Sequence, residues 1–145
     1  MLMWKVREEA SMGRRLDSTI ETPKYDNLFN GIYPPTEPFV VTIRKLETPA
    51  VFKRGTALAL SGGTAGDKKM VMLGTAAAQN ETLTANCVLA EDIEVGTSKD
   101  VDAIAYRSGH FNTNCLIAAE GHSISADDKE AFRTVGILLS DAIEI

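Results

Sequence analysis

The sequence predicts a mainly β protein, a small barrel or sandwich, with one short helix near residues 125–135 and an extended N-terminal arm. Three observations predict it. From Phe39 onward, short runs rich in β-branched residues alternate with turn signals. At Ser125, a cap residue is followed three positions later by an acid, before an apolar stretch. Ahead of Phe39, prolines at 34, 35 and 38 interrupt a segment rich in aromatic residues.

The elements follow in order. FVVTIRK (Phe39–Lys45) is bounded by Pro38 and Pro49 and reads as a strand. RGTALALSGG (Arg54–Gly63) alternates small and apolar residues and ends in a glycine turn. KMVML (Lys69–Leu73) follows that turn, so the two form a hairpin. CVLAEDIEVG (Cys87–Gly96) reads as one strand kinked at Glu91–Asp92. VDAIAYR (Val101–Arg107) alternates and stops at Ser108–Gly109, and FNTNCLIAA (Phe111–Ala119) reads as the return strand. Ser125 and Asp128 make a capping-box pair, and Asp127 adds charge favoured at a helix start. Ala131, Phe132 and Val135 give the helix an apolar face, and Gly136 ends it. ILLSDAI, from Ile137, reads as a closing strand. No internal repeat is present.

The 145 residues divide into an N-terminal arm, 1–38, and a β-rich domain, 39–145. Residues 1–24 mix charges with scattered apolar groups; a short helix over Lys5–Met12 and disorder are both compatible with them. Met3 and Met12 are alternative starts. No signal-peptide core follows the charges at Lys5, Arg7, Glu8 and Glu9. Residues 25–38, YDNLFNGIYPPTEP, carry Tyr25, Leu28, Phe29, Ile32 and Tyr33 on a backbone that prolines keep out of a helix. Such a segment needs a surface to lie on, either its own domain or a partner chain.

Fifteen basic and twenty acidic residues give a net charge of −5, which argues against a nucleic-acid binder. No apolar run is long enough to span a membrane. Two cysteines, Cys87 and Cys115, are too few for a disulfide framework and read as buried thiols of a protein made in a reducing cytosol.

Candidate chemistry is sparse. SGGTAGDKK (Ser61–Lys69) lacks the spacing of a phosphate loop, and Asp67 stands where a lysine would be needed, so a turn is expected. His110, His122, Cys87 and Cys115 contain no pair at zinc spacing, and both histidines follow glycine turns and read as turn or surface groups. Glu91, Asp92 and Glu94 read as a solvated kink that discourages edge pairing. Asn80, Asn86, Asn112 and Asn114 near His110 leave a glycan-binding surface as an alternative, although asparagine is equally a turn residue. No catalytic, cofactor or metal site is expected.

KRGTALALSG (Lys53–Gly62), CVLAEDI (Cys87–Ile93), VDAIAYRSGHFNTNCL (Val101–Leu116) and ADDKEAFRTVGILLSDAI (Ala126–Ile143) occur in an order that resembles the lambda-type phage head decoration, or head-stabilising, protein family. The Tyr-basic-Ser-Gly-x-Phe turn and the acidic helix before Gly-Ile-x-Leu carry most of it. YDNLFNG and its prolines look like the leading segment of relatives from phages of Gram-positive hosts. The likeness covers about residues 25–145; residues 1–24 are a departure, longer than in lambda-like members. It implies a β-clip-like fold without enzyme activity or cofactor. It also implies a homotrimer on the outer surface of the virion, bound to the major capsid protein of the expanded head after synthesis in the host cytoplasm. No nucleic acid or membrane is expected as a partner. The capsid-contact residues expected from the leading segment are Tyr25, Leu28, Phe29, Ile32 and Tyr33. A glycan-binding virion or tail module is the alternative reading, and a small β-barrel hydrolase acting through Glu91–Glu94 is a third.

Overall fold

The computed structural model describes residues 27–141. The reading of residues 1–24, including Lys5–Met12, lies outside them, as does Tyr25. The described chain is mainly β with one short helix.

Five strands close a small barrel in the order β1-β4-β3-β5-β7, where β1 is Pro38–Ile43, β3 Ala57–Gly62, β4 Met70–Met72, β5 Thr82–Leu89 and β7 Val101–Tyr106. The expected β3–β4 hairpin is present and antiparallel. Strand β1 pairs antiparallel with β7 along its whole length, from Pro38↔Tyr106 to Ile43↔Val101. The β1–β4 seam is parallel and has a single register pair, Ile43↔Met70. Two small sheets flank the barrel: antiparallel β2 (Ala50–Phe52) with β6 (Ile93–Val95), and parallel β8 (Gly109–Asn112) with β9 (Ile137–Ser140).

Strand β3 is buried on both faces, which is why RGTALALSGG lacks a polar side. Leu58 faces the barrel interior with Val41, Ile43, Met70, Cys87, Leu89, Ala103 and Ala105. Ala57 and Ala59 face a second cluster outside the wall with Ala85, Val88, Phe111, Phe132, Ile137 and Leu28. Small residues there let the covering layer approach closely. That layer is helix α1 (Ala126–Val135), the β8–β9 pair and the segment around Leu28.

The helix forms as its local chemistry dictates. The Ser125 side chain accepts from Asp128 N at 3.1 Å, and Asp128 Oδ2 accepts from Ser125 N at 3.1 Å. Gly136 ends it in the left-handed region, φ 104°. Phe132 is fully buried and Ala131 half-buried, but Val135 is 40% exposed, so the apolar face is narrower than expected.

Two strand readings are corrected. The stretch Cys87–Gly96 is two strands in different sheets, with β5 in the barrel wall and β6 beside β2. The break at Glu91–Asp92 is fixed by side chains, as Asp92 accepts from Arg54 N and Glu91 from Ile104 N. The supposed return strand ends at Asn112 and pairs with β9 rather than β7. The Asn112 side chain accepts from Asn114 N and turns Thr113–Cys115 into a 3₁₀ turn. Strand β2, three residues long, was not anticipated.

Candidate functional site

The proline segment is a strap tied to the body at both ends. At its start, Leu28 is 2% exposed in the outer core cluster, and its carbonyl accepts from Asn112 N at 2.7 Å. Phe29 forms an antiparallel bridge with Phe111. Asn30 N donates to the His110 carbonyl at 2.9 Å, and Asn30 Nδ2 donates to Ser140 Oγ at 2.5 Å. At its far end, Ser108 Oγ donates to the Pro35 carbonyl, and Arg107 N to the Glu37 carbonyl. The Arg107 guanidinium also pairs with Glu37 at 2.8 Å. Pro38 then opens β1.

An aromatic group supports the strap from beneath. Phe29 lies 5.2 Å from both Tyr106 and Phe111, centroid to centroid. The Arg54 guanidinium sits over Phe29 and Tyr106 and donates to the Tyr106 hydroxyl at 2.7 Å.

Between the ties, the strap carries its side chains outward. Ile32 is 96% exposed and Tyr33 77%, followed by the exposed or half-exposed Pro34 and Pro35. The Tyr33–Pro34 peptide is cis. Phe29, Gly31, Ile32, Pro34, Pro35 and Thr36 line a shallow groove. No charged residue lies between Asn27 and Thr36. Gly31 permits the close fit, because a Cβ there would lie 2.8 Å from His110 Nδ1.

The five expected contact residues therefore separate. Leu28 belongs to the chain's own core and is not available to a partner. Phe29 is 39% exposed and shared between strap and body. Ile32 and Tyr33 are presented together. Tyr25 lies outside the described residues. Residues 27–38 lie along the body, and the N-terminal part of the strap contributes to the fold.

The other candidates have structural places. His122 closes a turn, its N donating to the Ala119 carbonyl, whereas His110 lies in β8; both are half-buried, with His110 Nε2 2.7 Å from Ser140 Oγ and His122 Nε2 2.8 Å from Asp128 Oδ2. Cys87 is buried, and burial pushes its thiol up to about 12; Cys115 is only half-buried, contrary to expectation. Both are free. Among the described residues, no group of three or more His, Cys, Asp or Glu is placed to hold a metal ion. No helix among them is long and apolar enough to cross a membrane.

One polar cluster was not read from the sequence. The Arg44 guanidinium bonds Asp67 at 2.9 Å and Glu81 at 2.5 Å. The Glu81 carboxylate also accepts from Ala78 N at 2.9 Å and from the Ser61 hydroxyl. The Ala78 N–H, then Ser61 and Arg44, hold Glu81 down to about 2, and the Arg44 hydrogen bond does the same for Asp67. Nearby, Lys69 pairs with Asp100 at 2.5 Å, and Asp100 also accepts from Lys45 N. Both groups flank the thin β1–β4 seam, and the glycine loop is clasped through Asp67. Each of these carboxylates is bonded to a cation and a main-chain N–H of the chain itself, so the cluster is a fastening.

Compared with known proteins, the sequence matches no family model and no curated relative.

Proposed function

We propose that the protein is a capsid cement. In this reading it binds the major capsid protein on the outside of the expanded phage head, as a homotrimer, and stabilises the shell against internal DNA pressure. The observation that carries the reading is the strap, on which two large side chains, Ile32 and Tyr33, are held out in solvent by a segment anchored at both ends. Exposed apolar groups on a fixed backbone suit recognition of another surface. The likeness of Tyr106–Phe111 and Ala126–Ile143 to head decoration proteins supports the same reading.

The mechanism needs no chemistry. Burying a side chain the size of isoleucine contributes about 1.5–3 kcal/mol. A trimer repeats that contact three times on one lattice, and avidity multiplies it. Preference for the expanded lattice then stabilises that state by mass action. The proline-fixed strap loses little conformational freedom on docking. Phe29, Ile32 and Tyr33 make the contact, with Leu28 securing it from the core.

The test is co-sedimentation of the full chain with expanded and unexpanded empty heads of the encoding phage. Binding to expanded heads alone is expected; no binding to either would refute the proposal.

A further inference from the structure

Asn30 and Gly31 form the chain's sole Asn-Gly pair. They lie at the point where the strap is fastened to the C-terminal strand. Asparagine is chemically labile, and a following glycine leaves its amide nitrogen unhindered. Three features of the fold bear on that lability. Gly31 N–H donates to no acceptor among the described residues, so no main-chain bond has to break before base takes its proton. The Asn30 carboxamide nitrogen, the leaving group, is held by Ser140, at 2.5 Å from Oγ and 3.4 Å from the carbonyl oxygen. His110 backs the arrangement, with Nε2 at 2.7 Å from Ser140 Oγ and its ring against Gly31.

We propose that Asn30 is a deamidation site gated by its bonds to Ser140, and that its conversion irreversibly loosens the strap where it meets the C-terminal strand. While the carboxamide is bound to Ser140 it is kept from turning onto the Gly31 nitrogen. When the bonds open, that nitrogen attacks Asn30 Cγ. The N–Cγ bond forms, the Cγ–Nδ2 bond breaks, and ammonia leaves carrying the Gly31 amide proton. Water then opens the five-membered imide. Cleavage at Cγ gives aspartate; cleavage at the main-chain carbonyl gives isoaspartate. No oxidant or reductant is needed.

Neither product restores the same fastening, although an aspartate can still accept from the Ser140 hydroxyl. Aspartate has lost the donor that reached the Ser140 carbonyl and sets a negative charge against that oxygen. Isoaspartate adds a methylene to the main chain beside the Asn30 N to His110 carbonyl bond, which displaces Ile32 and Tyr33. The inference concerns the strap itself and holds whatever partner the strap meets.

The full-length protein is incubated in mildly alkaline buffer, and each asparagine is followed by peptide mass spectrometry, with hydrogen exchange read over residues 28–37. Asn30 is expected to convert before Asn27, Asn80, Asn86, Asn112 and Asn114. Ser140→Ala and, as a second variant, His110→Gln should convert several-fold faster than the parent, and converted chains should exchange faster in the strap. Asn30 outlasting the other asparagines, equal rates in parent and both variants, or unchanged strap exchange after conversion would each overturn the proposal.

Discussion

Phe29 and Phe111 meet across an antiparallel bridge with their rings 5.2 Å apart, and this contact joins the strap to the strand that follows the Tyr106–Phe111 turn. One residue earlier, Leu28 enters the core; three residues later, Ile32 points into solvent. The strap thus passes from buried to exposed within a few residues, and the two parts separate by mutation.

Leu28→Ala should lower stability by about 2–5 kcal/mol, the usual cost of emptying a well-packed leucine site. Ile32→Ala and Tyr33→Ala should change it by no more than about 0.5 kcal/mol, as for surface substitutions away from special features. Urea unfolding followed by tryptophan-independent circular dichroism measures all three. A Leu28→Ala chain as stable as its parent would mean that the strap does not contribute to the core.

Ser125→Ala removes the side chain that caps α1 and one half of its capping box. The expected loss is about 1 kcal/mol. Ser125→Asp retains an acceptor at the cap and should recover most of that loss, which thermal unfolding of the two variants would reveal.

The Arg44 fastening makes stability depend on acid. Asp67 and Glu81 have folded-state values of about 2, below ordinary values of 3.8 and 4.5. A carboxylate depressed by folding favours the folded state above its unfolded value and loses that contribution as pH falls through its folded value. The melting temperature should therefore drop between about pH 4.5 and pH 2. Arg44→Gln should lower it at pH 7 and flatten the drop, because no guanidinium then holds Asp67 or helps to hold Glu81. A drop of unchanged size in Arg44→Gln would count against the fastening.

The sequence made local chemistry legible and distant pairing less so. The Ser125–Asp128 box and the Gly136 stop involve neighbours, and α1 falls where they set it. Strands β1, β3, β4 and β7 were visible because β-branched or small apolar runs stop at Pro, Gly or Ser. The β8–β9 pair was not visible, since parallel pairing of Phe111 with Leu139 leaves no mark in either run. Strand β2 is three residues of Ala-Val-Phe, too short for alternation to register. In the candidate site, the proline segment stood out by composition, but adjacent Leu28 and Phe29 look alike as letters. The Asn112 N to Leu28 carbonyl bond sets the difference. Arg44, Asp67 and Glu81 come from three separate parts of the chain, so no spacing rule could have found them.

The central claim is that the strap's outward side chains bind the expanded head. Deleting residues 1–33 would be a confounded test, because it also removes Leu28 from the core. The direct measurement is co-sedimentation of Ile32→Ser/Tyr33→Ser with expanded heads, beside the parent and at matched folded concentration. The account predicts that the double variant folds like the parent and stays largely in the supernatant while the parent pellets. A folded double variant that pellets with the heads as fully as the parent would contradict it.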